Sequence, residues 1–486
     1  RRPALVISAA MASLGAAVQD ATTYFDEKTL FFLQHKAIFE KQLVVRPDVC
    51  MVLSGFAMGL LPLLFLCSRS APKEPASKEL APATLCLLAL TGGLDFFCTD
   101  QYQPSMPDMS TAFNVAKSSM SLTIQAHQVC CGLATLIFGP VSDHIGRRKV
   151  LLFLQILLVL STMCCACAPS YHWFVLGRAL QGTGSSSGAI VLAITRDCYD
   201  KEEERMKVAG LVFACMLLGP LIAPPIGGFL ATRFGWRSSF FMLTGVSSSI
   251  FLCSCFLVPE TSPKAPKSSY LAAVWRTVAN KNRFLSLLLM ALYKSTFSIL
   301  DNNNAFMLES FLGVSIQQAS FMVSILAVSG ASGVVASSLL GRKPVEVMRL
   351  TMPVVFIVAA CDLLVGLFSS KNLRLYLACI CFQHFVIMVP NVAVNIGFLQ
   401  DLDDIAGVAS SVQTAGVFSM ASIFALPALL SEKQGPGGML CVLATIVFLS
   451  LLFTSVILRD QHCEPSEVLS SERVPGEKTS EAQRAQ

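Results

Sequence analysis

Charge is what this sequence lacks. Asp, Glu, Lys and Arg make up 14% of its 486 residues, against roughly 25% in an average soluble protein. A string of soluble domains is therefore excluded, although the length alone would suggest about three. The net charge of +5 is too small to point to nucleic acid. Only six histidines occur, scattered along the chain. They form no cluster with acids of the kind a membrane-bound enzyme would need, so no catalytic residues are assigned. The 18 cysteines fall mostly inside apolar runs. Their Cys-x-Cys pairs, such as Cys253 and Cys255, lack the His-containing four-ligand closure of a zinc site. No metal and no cofactor are expected.

What is present is apolar: 54% of residues are hydrophobic and the mean hydropathy is +0.63. The charges gather in short clusters between apolar runs of about twenty residues, the length that spans a ~30 Å hydrocarbon core as helix. The class is an all-α, multi-pass membrane protein. Six runs occupy 82–258, the first Pro82–Thr99 and the fourth Phe174–Ile194, and six more occupy 284–458. Counted inclusively these halves hold 177 and 175 residues, an internal repeat around a polar linker at 259–283. Residues 1–81 form an extension in which Val49–Cys67 reads as an additional spanning helix or a late signal-like segment. A chain that starts at Arg1 rather than Met reads as a fragment or a processed form. The tail, 459–486, is polar and expected to be disordered. Short loops on one side carry nineteen Lys and Arg, those on the other six, so both ends of the 82–458 core face the cytoplasm.

Three stretches carry mechanism. Gly139-Pro140-Val141-Ser142-Asp143-His144-Ile145-Gly146-Arg147-Arg148-Lys149 joins the second and third runs. Asp143 and Arg147 are four apart and can pair on a helical turn, Gly146 permits the turn, and the cations anchor the loop in the cytoplasm. Its second-half copy, Ser338–Lys343, has Ser338 where the first half has the acid. In the fourth run, Arg178-Ala179-Leu180-Gln181-Gly182 sets a guanidinium in the membrane, which is functional by default or else snorkels to the outer boundary. In the fifth, Gly219, Pro220, Ala223, Pro224, Gly227 and Gly228 make a smooth, bent helix suited to a rocking joint.

Together these stretches resemble the major facilitator superfamily. Thr99–Pro104 and Val258–Thr261 narrow the resemblance to its twelve-helix drug:proton antiporters, the bicyclomycin/chloramphenicol-resistance type of multidrug efflux transporter. The resemblance covers about 82–460. It implies two pseudo-symmetric six-helix bundles around a central cavity, alternating access, and exchange of protons for small lipophilic drugs. The proton gradient is then the energy source, and the partners are a small-molecule substrate, protons and the lipid bilayer, with the protein acting as a monomer. A plasma or inner membrane is implied, an organelle membrane being the alternative. By the resemblance Asp100 is the first-span acid, Arg178 the coupling arginine, and Gly139, Asp143, Gly146, Arg147 and Arg148 the cytoplasmic gating loop. The sequence departs at Gly92, where related antiporters carry a further acid. Asp95 is the nearest substitute, but it lies five residues before Asp100, about 140° around a helix. The two carboxylates are thus expected not to face one cavity squarely.

Proton coupling needs groups that titrate between states. Asp95 and Asp100 are the first-half candidates. Asp301, Asn302, Asp362, His384 and Met388 are candidate cavity residues of the second half, with His127 and Gln128 from the second run. Plainer readings stand beside these. Asp100 could be a helix-end residue, Asp301 part of a polar outer end, Asp362 a partner of a neighbouring helix, and His384 a packing residue. A facilitator or proton symporter of an endogenous solute, or a transporter-like receptor without turnover, are the rival functions in the same fold.

Overall fold

The computed structural model describes residues 80–199, 202–261, 270–368, 372–400, 402, 405–427 and 435–463. The 49–67 run and the chain beyond 463 lie outside the described residues. Every regular element among the described residues is helical.

The first bundle comprises α1 (Pro82–Asp100), the short outer α2 (Met106–Ala112), α3 (Lys117–Ile145), α4 (Arg147–Cys167), α5 (Tyr171–Ser185), α6 (Ser187–Cys198), α7 (Glu202–Phe234) and α8 (Arg237–Leu257). After α9 (Tyr270–Val278) come α10 (Lys281–Phe306), α11 (Ile316–Leu340), α12 (Pro344–Phe368), α13 (Leu373–Leu399), α14 (Ala406–Phe424) and α15 (Gly435–Cys463). Ten stretches among the described residues are helical, long and apolar enough to cross a membrane. The lipid-facing surface carries side chains such as Phe256, Leu339 and Phe368, each at least 80% exposed, a pattern water would not tolerate over so wide an area.

Three expectations change. The fourth run is two helices: α5 of 15 residues and α6 of 12, parted at Ser186. The cause is local, because Gly182, Gly184 and three consecutive serines are weak helix formers. The Ser186 hydroxyl also donates to the Thr183 carbonyl at 2.7 Å, competing with the backbone ladder. The linker is partly structured: α9 buries Ala273 and Thr277 and exposes Leu271 and Trp275, an amphipathic pattern. The last helix runs on to Cys463, past the expected start of the tail.

Helix ends follow their sequence signals. Ser315 and Gln318 close a capping box at the start of α11, and Asn280 and Asn372 cap α10 and α13. Gly146 ends α3 at φ 112°, a backbone that other residues rarely adopt, and turns the chain straight into α4. One apolar core joins α1, α4, α6, α7 and α8 through Leu87, Leu154, Ile190 and Leu243. An aromatic knot of Tyr102, Phe174, Trp236 and Phe240 closes its outer end, with rings 5.5–6.2 Å apart. Two further cores, around Tyr293 and Phe398 and around Tyr376 and Leu440, belong to α10–α15. The seams between the bundles are α3 against α14 and α7 against α11.

Candidate functional site

Two cavities lie in the seam. The central one, about 310 Å³, is lined from the first bundle by Asp95, Thr99, Asp100, His127, Gln128 and Pro220, and from the second by Lys294, Phe297, His384, Met388, Asn391 and Asn395. The other, about 290 Å³, runs down to Asp143, Arg147 and Arg196 on the side rich in Lys and Arg. Asp95, Phe96, Cys131 and Phe418 belong to both walls, so they form the partition.

Asp95 is the acid at that partition. It stands mid-α1, and its carboxylate is 3.9 Å from His127 Nε2 of α3. The same ring nitrogen is 3.1 Å from the hydroxyl of Ser185, the last residue of α5 before the break. The close approach of α5 to α3 at Gly182, which faces the His127 backbone, sets Ser185 against that ring. Around this group, Gln128 accepts a hydrogen bond of 2.8 Å from Ser298 of α10 across the seam.

Asp100 lines the same central cavity as Asp95. Its Oδ1 accepts hydrogen bonds from Thr99 at 3.0 Å and Gln103 at 2.9 Å, and the residue is buried. Asp95 keeps 23% of its side chain accessible. The more available carboxylate is therefore the earlier one.

Arg178 does not snorkel; it is fully buried. Its Nη1 donates to the Cys98 carbonyl near the end of α1 at 2.9 Å and to Gln181, and its guanidinium lies 4.6 Å over the Tyr102 ring. It lines neither cavity. Its charge is held by the negative end of α1 and an aromatic face, so it acts on Asp95 through space, one helix behind.

At the charged side, Arg147 Nη1 pairs with Asp143 at 2.6 Å as the spacing predicts, while its Nε pairs with Asp197 of α6 at 2.7 Å. Ser142 accepts a further bond from Arg147 at 2.9 Å. Arg148 donates from its backbone to Glu260 and from its guanidinium to the Cys255 carbonyl. These contacts bind α3, α4, α6 and the end of α8 together inside the first bundle. The Gly139–Lys149 stretch meets the second bundle through Gly139, where an added Cβ would lie 3.1 Å from Ser411 of α14. Beside it the Tyr270 hydroxyl of α9 donates to the Leu136 carbonyl at 2.8 Å, and partial burial pushes that phenol above its ordinary range.

The expected hinge glycines are all contact points. On α7, Gly219 faces Phe96, Gly227 faces the Gln101 carbonyl, and Gly228 faces Ser320 of α11. Pro224 lies in the same helix, and Pro220 reaches the central cavity.

Other sequence candidates are not brought to the cavities. Asp362 is buried on α12, where it meets Cys379 of α13. Asn302 is buried in the seam, its carbonyl accepting from Ser121 at 3.1 Å. The Asp301 side chain lies outside the described residues. Conversely, no role is read from the sequence for Lys294 or Asp197. The signal for Lys294 was present: a cation in the middle of the apolar run of α10 is functional by default. For Asp197 there was none, because an acid that pairs with a distant helix carries no spacing pattern.

Sequence comparison agrees with this architecture. The Major Facilitator Superfamily profile matches residues 85–426. Multidrug resistance protein D of Escherichia coli is 28% identical over 207 residues, 42% of this chain and 52% of that protein. MdtL of Escherichia coli, also named a multidrug resistance protein, is 28% identical over 171 residues, 35% of this chain and 44% of its own length. The chain thus spans about half the length of the curated relatives it matches. Among solved structures, the human organic anion transporter TETRAN aligns at TM-score 0.54 and 18% identity, over 76% of this chain and 98% of that one. A D-xylose–proton symporter aligns at TM-score 0.62 and 14% identity, over 76% and 96%. The fold, the motif geometry and the profile agree: this chain is a multi-pass integral membrane protein that belongs to the Major Facilitator Superfamily.

Proposed function

We propose that the chain is a proton-coupled secondary transporter that carries small amphipathic molecules across the membrane by alternating access, driven by the proton gradient. The observation that carries this reading is Asp95, a carboxylate on the walls of both cavities, beside His127 and Ser185. A group at the partition can be reached from one side through one cavity and from the other side once the bundles rock. Proton entry down the membrane potential yields ~2.3 kcal/mol per charge per 100 mV, enough for one proton to drive useful accumulation. Lys294 and Arg178 set the field in which Asp95 exchanges its proton. The domains of this machine are 82–258 and 284–458, joined by 259–283, in one polypeptide acting as a monomer. Multidrug resistance proteins among the relatives support drug-like substrates.

The coupling mode turns on substrate charge. A cation that displaces the proton from Asp95 gives antiport, the mode the sequence resemblance implies. A solute that binds together with the proton gives symport, and the cationic Lys294 in the central cavity favours this second reading. The test is the full chain in proteoliposomes containing a pH-sensitive dye, challenged with lipophilic cations, neutrals and anions. Wild type is expected to move protons when a substrate is added, while Asp95→Asn binds that substrate and moves none. Gradient-driven transport that survives in Asp95→Asn would remove the assignment.

A further inference from the structure

Lys294 stands in the middle of α10, partly buried, on the wall of the central cavity. Among the described residues neither a hydrogen bond nor an ion pair reaches its ammonium. Two aromatic rings flank it instead, Phe297 at 5.9 Å and Phe418 at 5.5 Å. The His384 ring packs on Phe297 with centroids 3.8 Å apart, extending the same apolar wall. Lys294 is close enough to act electrostatically on both Asp95 and His384, but the carboxylate is not in contact with it.

A bare ammonium in a membrane-embedded cavity is costly unless something supplies a counter-charge. Among the described residues no protein group supplies it by contact. The aromatic rings give only part, since a cation–π contact is weaker than a carboxylate pair. The cavity, at about 310 Å³, has the size of a small-ligand site.

We infer that the central cavity takes an amphipathic organic anion, its carboxylate or sulfonate on Lys294 and its ring between Phe297 and Phe418, and that the accompanying proton is taken up by Asp95. This rests on the proton-coupled reading of Asp95 given above. The coupling is electrostatic. While the cavity is empty, Lys294 acts on the Asp95 carboxylate more strongly than Arg178 does. An anion seated on Lys294 cancels that field, and a proton from bulk water then forms an O–H bond on Asp95. Anion and proton bind together, so they travel together. The other titratable or charged groups facing Asp95 are His127 of α3, Arg178 of α5, Cys98 of its own helix and Cys131 of α3. None of them faces the cavity as an unpartnered cation.

The test uses purified full chain in detergent and three matched probes: naphthalenesulfonate, neutral naphthalenesulfonamide, and naphthyltrimethylammonium. The two charged probes keep their charge at every working pH, so any pH effect belongs to the protein. Calorimetric titration at about pH 5.5 and about pH 7.5 is expected to show the sulfonate binding at least about tenfold more tightly than the sulfonamide. Its affinity should rise toward acid by up to about tenfold per pH unit, one linked proton. Lys294→Arg should keep sulfonate binding and Lys294→Gln lose about tenfold or more, while Asp95→Asn keeps the binding and loses its pH dependence. Tightest binding of the trimethylammonium probe would overturn the inference, as would no sulfonate binding to wild type or unchanged sulfonate affinity in Lys294→Gln. If the Lys294 results hold while Asp95→Asn still transports against a gradient, the proton reading fails and the anion site stands.

Discussion

Replacing Gly227 by Ala tests how tightly α7 is fitted against the outer end of α1. A Cβ at this position would overlap the Gln101 carbonyl oxygen and approach Gln101 Cα at 3.0 Å. The obstacle is backbone, which cannot rotate aside as a side chain can. Relief requires moving α7 or the Gln103–Ser105 turn, and overpacking of this kind costs about 1–3 kcal/mol. The same helix supplies its own control. Gly210 has nothing within 4 Å of where its Cβ would be, so Gly210→Ala should stabilise by up to ~1 kcal/mol through helix propensity alone. Gly219 is intermediate, its Cβ meeting Phe96 Cβ at 2.9 Å. Thermal unfolding in detergent should therefore rank the variants Gly210→Ala above wild type, then Gly219→Ala, then Gly227→Ala. Transport should fail in the last even where the protein is folded, because Gln103 of the displaced turn holds the Asp100 carboxylate. A Gly227→Ala protein as stable and active as wild type would refute the close approach of these two backbones.

Other substitutions probe the remaining parts. Asp197→Asn should impair transport about as much as Asp143→Asn, since each removes one of the two carboxylates on Arg147; partial exposure limits the loss to about 1 kcal/mol of loop stability, read as a lower Tm and slower uptake. Ser338→Asp should leave uptake unchanged, its side chain being exposed on α11 and bonded only to its own helix. Arg178→Gln should destabilise by about 2–4 kcal/mol because the Cys98 carbonyl and the Tyr102 face lose their cation, and Arg178→Lys should recover only part of the melting temperature. Gln128→Leu should strand the Ser298 hydroxyl in the seam, lowering stability by about 1–3 kcal/mol and shifting accessibility of cysteines engineered on the two sides.

Much of the architecture was written in periodicity and charge placement. Twenty-residue apolar runs define helices because no other structure satisfies the backbone in lipid, and the i, i+4 spacing of Asp143 and Arg147 fixes a local pair. Pairs across the fold have no such spacing. Nothing local marks Asp197 as the second partner of Arg147, and the distance between Ser298 and Gln128 in sequence hides a bond that crosses the seam. The break at Ser186 was visible in composition, as Gly and Ser in a run otherwise read as one span, but apolar length outweighed it. Asp95 and Asp100 stand about 140° apart around α1, yet the helical angle alone does not show that Thr99 and Gln103 hold the Asp100 carboxylate while Asp95 keeps more of its side chain accessible.

The asymmetry of the two halves now has a physical basis. The first bundle supplies the acids, Asp95 and Asp100, together with Ser185 against His127. The second supplies the cation and most of the aromatic wall, Lys294 with Phe297 and Phe418. Among the described residues, neither half lines the central cavity with both signs. Separating the bundles on one side moves the acids relative to the ammonium, so the rocking motion is itself a change in the field at Asp95. Proton affinity is thereby tied to conformation without any new contact. Removing the charge should break that tie: in dye-loaded proteoliposomes Lys294→Gln should lose naphthalenesulfonate binding and, with it, the proton uptake that the probe drives in wild type. Probe-driven proton uptake that survives in Lys294→Gln would show that the field at Asp95 is not set from the second bundle.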